Sequence, residues 1–175
     1  ATFAYHFTNF ILSKTEESKY STINFSINED NLSYKRLSNK IHSNFFLIDN
    51  ELNNQIKIEQ VRNLNKFLSK TTYSQNFKIV LIDGIECLNL NAANALLKAI
   101  EEPSKNTFFF IIHDSSVKIL DTISSRCAHF KIFFSENEKR NIFTNIAKPY
   151  FYETHLPNLD NEFYLNTPGN LLKYF

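Results

Sequence analysis

An aspartate that ends an apolar strand and an arginine in a short polar segment are the residues of this chain best suited to phosphate chemistry. Asp83 follows the apolar run 77–82, and Arg126 lies in the sequence Ser125-Arg126-Cys127. Ligands of open α/β sheets bind at the carboxyl ends of the strands, where an acid can hold a metal ion. A guanidinium stays charged and forms a planar fork that fits phosphate oxygens. These residue types are suited to a nucleotide site, or the remnant of one, and to a contact with phosphate.

The sequence has no glycine cluster that could cradle a phosphate. A phosphate-binding loop needs clustered glycines and a lysine, because its backbone N–H groups close around the phosphates, whereas only Gly84 and Gly169 are present. Gly84 also follows Asp83 directly, and a glycine has no side chain to act as the base that polarises an attacking water. Glu86 could substitute for that base, but we favour a solvated or turn-capping acid. We therefore expect Asp83 to be the structural remnant of a nucleotide site.

Four further polar residues and Arg126 each have a simple structural interpretation. His113 and Asp114 follow an apolar run, where a turn that satisfies its own backbone groups is favoured, and an aspartate there would repel phosphate. Glu101 and Glu102 close a helix, where the helix dipole disfavours negative charge by roughly 0.3 to 1 kcal/mol. Either solvent screens these carboxylates or a partner pairs with them. Without further information, Arg126 would merely neutralise a helix end.

Apolar periodicity predicts alternating helices and strands up to residue 134. Strands are expected at 45–48, 79–82 and 108–112, and the polar stretch 13–41 is interpreted as a variable insertion. Strands that are apolar on both faces and separated by helices favour a parallel sheet covered by helices on both sides, so the predicted fold class is α/β. Three segments carry apolar residues at helical spacing, namely Phe3, Phe7, Phe10 and Ile11; Ile58, Val61, Leu64 and Leu68; and Ala93, Leu96, Leu97 and Ile100. The first of these stripes is expected to face the core.

The pattern changes after residue 134, where no further strand is expected. Ser135 and Glu138 have the spacing of a capping box, and the helix that follows carries an apolar face of Ile142, Phe143 and Ile146. We therefore predict two domains. Their ranges are 1–134, an α/β domain incomplete at its N-terminus, and 135–175, a partial helical domain.

Charge and cysteine content argue against several classes of protein. The net charge of +1 gives no basic excess for strong autonomous DNA binding, and the longest apolar runs are far shorter than the ~20 residues of a membrane span. Cys87 and Cys127 have no second cysteine nearby, as a zinc site would require. We expect reduced, mostly buried thiols, which fit the cytoplasm. The five histidines show no His-Glu-x-x-His spacing.

Several motifs in one order resemble the clamp loaders of bacterial DNA replication, above all the delta-prime subunits of DNA polymerase III. They lie in the segments 42–48, 56–62 and 78–134, the last of which includes a Glu-Glu-Pro sequence and Ser-Arg-Cys. The resemblance implies a P-loop ATPase-like (AAA+) fold that lacks its first strand and phosphate loop, followed by a small helical lid. We expect a fragment or processed product that begins just after the loop, or a natural start without that strand.

The resemblance also assigns site residues. Clamp loaders use the arginine of the Ser-Arg-Cys tripeptide as a finger that enters the adjacent subunit's ATP site, which implies that Arg126 acts catalytically in trans. An interface is implied for Ser125, Arg126, Cys127, Glu101 and Glu102. No metal or cofactor is expected in this chain, because neighbouring subunits would bind ATP and Mg²⁺.

The implied function is that of a non-catalytic, delta-prime-like subunit of a cytoplasmic hetero-oligomer. Its expected partners are the gamma/tau and delta clamp-loader subunits. Through the assembled complex it would act on the sliding clamp and primer–template DNA, without a membrane partner. Two alternatives stay open: an ATP-hydrolysing gamma/tau-like motor subunit whose phosphate loop lies outside these residues, and an interaction module that uses the fold only as a scaffold.

Overall fold

The computed structural model describes residues 1–50, 55–70 and 77–147. Within these ranges, no helix combines the length and apolarity that crossing a membrane requires. The chain divides into two compact units, Ala1–Cys127 and Ala128–Phe175. In order, the elements are α1 (Thr2–Leu12), α2 (Leu32–Ser38), β1 (Phe45–Ile48), α3 (Ile58–Ser69), β2 (Lys78–Asp83), a single 3-10 turn (Ile85–Cys87), α4 (Leu90–Glu101), β3 (Thr107–Ile112), α5 (Asp121–Ser124) and α6 (Glu136–Ala147).

The strands β1, β2 and β3 lie side by side, in that order, in one parallel sheet. The register pairs Phe45 with Ile79, and Ile79 with Phe108. The central strand β2 is buried over all but its last residue. Parallel neighbours require long crossover connections, and these contain α3 between β1 and β2 and α4 between β2 and β3. The predicted α/β class and the predicted strands are confirmed.

Successive residues of β2 face opposite sides of the sheet, and each side has its own apolar layer. Ile79 and Leu81 pack with Leu12 of α1. Val80 and Ile82 pack with the buried apolar residues of α3 and α4. Helices therefore cover both faces of the sheet. This packing holds α4 against the strands.

The apolar face predicted for α1 is only partly covered, which corrects the sequence interpretation. Phe3, Phe7 and Phe10 keep 66%, 40% and 38% of their surface exposed, whereas Leu12 is fully buried. The Phe3 and Phe7 rings stack at 6.0 Å, the Phe7 and Phe10 rings at 6.2 Å, and Phe7 meets Phe110 of β3 at 5.4 Å. Apolar residues occupy two neighbouring stripes of α1, and periodicity alone does not tell which stripe faces the sheet.

A polar network orders the segment between α1 and β1. The Glu16 carboxylate accepts the N–H of Ser33 at 3.1 Å and its hydroxyl at 2.5 Å. The N–H of Asn44 donates to His42 Nδ1 at 3.2 Å, so the neutral ring carries its proton on Nε2, which lies 3.3 Å from Ser33 Oγ. Burial, with a smaller effect of Arg36, lowers the pKa of His42, although Glu16 opposes this shift.

A buried lysine at the start of β2 caps the end of α3. Lys78 Nζ donates to the carbonyls of Phe67 at 2.9 Å, Leu68 at 2.7 Å and Lys70. It also lies 5.2 Å from the centre of the Phe67 ring. The last carbonyls of a helix have no partner within it, and the helix dipole favours a cation there. Burial lowers the pKa of Lys78.

The second unit begins earlier than the predicted domain boundary, and its described part contains α6. The predicted capping box is confirmed, because the N–H of Ser135 donates to Glu138 Oε2 at 2.7 Å and the N–H of Glu138 donates to Ser135 Oγ at 3.4 Å. The bonds from Ser135 lower the pKa of Glu138. Phe143 is buried, whereas Ile146 is 42% exposed. The helical-lid interpretation stays a prediction, since residues 148–175 of that domain lie outside the described ranges.

Candidate functional site

Asp83 lies at the carboxyl edge of the sheet, as its position in the sequence predicts. It is the half-buried last residue of β2 and pairs in register with Ile112 at the end of β3. Gly84 follows with a φ of 82°, in the left-handed region, which side chains disfavour. A Cβ at residue 84 would come no closer than 3.6 Å to Cys87 Sγ. The backbone conformation, and not lack of space, therefore favours glycine here.

The residues after β3 form a closed turn beside Glu86. Asp114 Oδ1 accepts the N–H of Ser116 at 2.9 Å and its hydroxyl at 2.8 Å, and these bonds hold the pKa of Asp114 below its usual value. His113 Nε2 donates to the carbonyl of Val117 at 2.6 Å. The N–H of Asp114 donates to Glu86 Oε2 at 3.4 Å. The predicted strand-end turn is confirmed, and Glu86 lies against it, as expected of a turn-capping acid.

The carboxyl edge of the sheet is acidic. Asp83 ends one strand, Asp114 follows the next, and Glu86 contacts the Asp114 backbone. Carboxylates repel phosphate unless a cation lies between them. In the part of the chain that the structure describes, no three His, Cys, Asp or Glu side chains are grouped so as to hold a metal ion. The role of Asp83 as the remnant of a nucleotide site stays a prediction.

Arg126 follows α5 and contacts the last residue of α4. Its Nη2 lies 2.6 Å from Glu101 Oε1. Its Nη1 donates to the carbonyl of Thr122 at 2.7 Å and to Ser125 Oγ at 3.2 Å. The Arg126 and Glu101 side chains are 38% and 43% exposed. The contact with Thr122 is the helix-end interaction expected of any arginine here, whereas the contact with Glu101 joins two elements.

Glu101 and Glu102 end α4 in different ways. Glu101 pairs with Arg126, so its partner lies within the chain. That cation offsets the unfavourable interaction of a carboxylate with the helix dipole, although the pair is exposed enough that its net stabilisation is about 0.2 to 1 kcal/mol. Glu102 is the C-cap, and its N–H donates to the carbonyl of Lys98 at 3.1 Å. An interface role for either glutamate stays a prediction.

The two residues next to Arg126 differ in exposure: Ser125 is exposed and Cys127 is half-buried. The exposed Ser125 hydroxyl donates to the Thr122 carbonyl at 3.3 Å and accepts from Arg126 at 3.2 Å. Cys127 is half-buried and packs against the core between the sheet, α3 and α4. Burial raises the pKa of its thiol. Neither Cys127 nor Cys87 forms a disulfide, which agrees with the expected free thiols, although both are only half-buried.

The structure brings Glu101, Ser125 and Arg126 together, which spacing alone did not predict. Two signals in the sequence could have indicated the arrangement. A carboxylate in the last turn of α4 needs a nearby cation to offset the helix dipole. In addition, Thr122 lies four residues before Arg126, the spacing at which a side chain reaches a carbonyl of the preceding turn. Asp83, by contrast, lies at the other end of α4.

Comparison with known proteins gives one matched segment that includes both Asp83 and Arg126. A family model described as "DNA polymerase III, delta subunit" matches residues 1–135. The DNA polymerase III subunit delta' of Pseudomonas aeruginosa is 40% identical over 87 residues, which are 49% of this chain and 26% of that protein. The subunit delta' of Haemophilus influenzae is 44% identical over 72 residues, which are 41% and 22% of the two chains.

Gamma subunits are similar as well. The DNA polymerase III subunit gamma of Buchnera aphidicola subsp. Schizaphis graminum is 37% identical over 93 residues, or 53% of this chain and 26% of that protein. The crystal structure of a gamma subunit-related protein from Thermotoga maritima superposes with a TM-score of 0.53 and 25% identity, over 81% of this chain and 52% of that one. The chain spans about a quarter of the length of the curated relatives it matches.

Proposed function

Since the chain belongs to the DNA polymerase III delta subunit family, we propose that it works within the clamp loader of that polymerase as a delta-prime-like subunit that hydrolyses no ATP itself. The observation that carries the proposal is the partly exposed guanidinium of Arg126, held at the end of α5 within Ser125-Arg126-Cys127. In this proposal Arg126 enters the ATP site of an adjacent subunit and stabilises the phosphate charge that develops there.

The sheet edge supports a non-catalytic role. Gly84 occupies the position of a water-activating glutamate, and its φ of 82° would strain any side chain placed there. Asp114 would place a carboxylate where a terminal phosphate needs a donor. Glu86, the nearest alternative base, lies against the Asp114 turn.

Because the chain's own edge repels phosphate, the phosphate that Arg126 serves would belong to a neighbour. We assign ATP and Mg²⁺ to the neighbouring gamma/tau subunits, with delta as a further partner in a cytoplasmic hetero-oligomer. The assembled complex would place the sliding clamp on primer–template DNA. The guanidinium suits such a site because it can grip two oxygens of one phosphate at once.

A gamma-like motor subunit is the second candidate, because gamma subunits also match the chain at 37% identity. That alternative requires ATP hydrolysis by the subunit itself. The full-length subunit, free of its partners, should release no more phosphate from saturating Mg²⁺ and ATP than a heat-treated sample. Turnover above that background would favour the motor subunit and overturn the non-catalytic role.

The role of Arg126 is tested in the complete complex. Full-length subunit carrying Arg126→Ala is assembled with its partners, and clamp- and DNA-stimulated ATP turnover is measured. A finger contributes about 10³ to 10⁵ in rate at other phosphoryl-transfer sites, but several active sites in one complex dilute the loss of one. We expect a partial drop, with little rescue by Arg126→Lys, because an ammonium does not reproduce the bidentate geometry.

Arg62→Ala is the matched control, since Arg62 is an arginine of α3 with 67% of its side chain exposed. Sedimentation of each complex verifies that all variants assemble. Turnover at the wild-type level with Arg126→Ala would show that this residue only neutralises the end of a helix.

A further inference from the structure

We propose that Glu101 is a positioning residue that orients the Arg126 guanidinium toward the phosphate of an adjacent subunit, an inference that rests on the proposed function. Glu101 itself touches no phosphate in this arrangement. Its carboxylate holds one terminal nitrogen of the guanidinium, and α5 holds the other.

The geometry carries the inference because two separate elements hold the two terminal nitrogens. Glu101 Oε1, at the end of α4, lies 2.6 Å from Nη2. The Thr122 carbonyl, on α5, accepts from Nη1 at 2.7 Å. A single contact would leave the guanidinium plane free to rotate, whereas one contact on each terminal nitrogen fixes that plane relative to the sheet. A long side chain that is already oriented loses less conformational freedom when it meets its ligand.

The rigidity of α4 makes Glu101 a suitable anchor. α4 packs through the fully buried side chains of Ala92 and Leu96 against the apolar layer of the sheet. The Glu101 carboxylate therefore lies on a helix that is packed against the core, and not on a loop. Sites supported by packed helices hold their groups more accurately than sites on loops.

The pair is exposed enough that the guanidinium, which has five N–H donors, can meet a phosphate while Glu101 stays in contact. Arg126 is 38% exposed and Glu101 is 43% exposed, so solvent screens their attraction and the pair is weak. A phosphate carries more negative charge than a carboxylate and binds the guanidinium fork through two oxygens. Glu101 thus orients Arg126 without competing strongly against the incoming phosphate.

A double-mutant cycle in the assembled clamp loader tests this role. Complexes with Glu101→Ala, Arg126→Ala or both changes are compared for ATP turnover at saturating ATP. Glu101→Ala should remove about half to four-fifths of the Arg126-dependent turnover, the fraction that corresponds to a two- to fivefold effect of an exposed ion pair. The double variant should match Arg126→Ala, because Glu101 acts only through that arginine.

Two further measurements separate positioning from a structural contribution. Glu101→Gln keeps an oxygen acceptor and should restore part of the turnover lost in Glu101→Ala. The KM for ATP should stay nearly constant while kcat falls, since the interaction is used in the transition state. Glu59→Ala is the control, because Glu59 forms a more exposed Glu–Arg pair with Arg62 at 4.0 Å on α3, away from Arg126.

The outcomes for the two proposals differ. If Arg126→Ala keeps wild-type turnover, the proposed function fails and takes the positioning role with it. If Arg126→Ala lowers turnover while Glu101→Ala does not, only the positioning role is overturned. The same conclusion follows if the double variant loses clearly more turnover than Arg126→Ala, because Glu101 would then act independently of the arginine.

Discussion

The two ends of α4 carry opposite chemistry. Beside its beginning, the carboxyl edge of the sheet offers the carboxylates of Asp83, Glu86 and Asp114, together with a glycine held at a φ of 82°. At its other end, Arg126 offers a guanidinium that is fixed on two sides and 38% exposed. The first region repels phosphate, and the second attracts it.

Under the proposed function, this difference explains how the chain would contribute to a reaction that it does not carry out itself. Its acidic sheet edge would hold no nucleotide, and Arg126 would serve the nucleotide of a second subunit. α4 joins the two regions, so changes in its packing should affect both, whereas changes at either end should affect one.

The largest expected effect comes from loosening α4 itself. Leu96 is fully buried, and Leu96→Ala should lower the free energy of unfolding by about 2 to 5 kcal/mol, because a cavity replaces the lost contacts. Leu90→Ala is the control, since Leu90 lies on the same helix with 69% exposure and should change stability by less than about 0.5 kcal/mol. Urea denaturation of both variants makes the comparison, and equal losses would contradict the packing described for α4.

A smaller loss of stability is expected from substitutions of Gly84, at the acidic edge of the sheet. Gly84→Ala should destabilise the protein by about 1 to 3 kcal/mol, because a Cβ is strained at positive φ, even though space is available around residue 84. Gly84→Asn should cost less, since asparagine tolerates the left-handed region better than alanine. Thermal unfolding of the two variants ranks them. An alanine variant as stable as wild type would mean that the turn after Asp83 needs no glycine.

The smallest effect concerns the charge that distinguishes the acidic end. Hydrogen bonds from Ser116 lower the pKa of Asp114, the backbone N–H first and the hydroxyl second. Ser116→Ala removes only the hydroxyl bond, so it should raise the pKa part of the way toward its ordinary value, and Ser115→Ala should leave it unchanged. Because the folded-state pKa is the lowered one, the stabilising effect is present above the unfolded-state pKa. It is lost as the pH falls through the folded-state pKa.

NMR titration of the Asp114 carboxyl group makes that measurement directly. Wild-type protein should titrate below the pH at which the Ser116→Ala variant does. Indistinguishable titrations would show that the Ser116 hydroxyl does not stabilise the charged carboxylate of Asp114.

The sequence predicts the α/β class and the strand positions well, because continuous apolar runs such as residues 79–82 have few alternatives to a buried parallel strand. It predicts α4 and the capping box at Ser135 and Glu138 for a similar reason, since local spacing determines both. The face of α1 was predicted only in part. Phe7 of the predicted stripe contacts Phe110 of β3, but the fully buried residue is Leu12, which lies on a neighbouring stripe.

The candidate site was predictable only in part. Asp83 could be placed at the sheet edge because it ends an apolar run. Glu101 and Arg126 are 25 residues apart in the sequence, and their pairing depends on where α4 ends relative to α5, which spacing does not encode. The structure between α1 and β1 could not be predicted from the sequence either. The hydrogen bonds that join Glu16, Ser33 and His42 depend on the folded path of that segment.

The most direct test of the account is a structure of the assembled clamp loader bound to a non-hydrolysable ATP analogue. We expect the analogue in a neighbouring subunit, with the Arg126 guanidinium about 2.7 to 2.9 Å from oxygens of its terminal phosphate. The end of β2, beside Asp83, should hold no nucleotide. A nucleotide beside Asp83, or an Arg126 that faces no phosphate in the assembled complex, would contradict the claim that this chain serves its neighbour's chemistry and not its own.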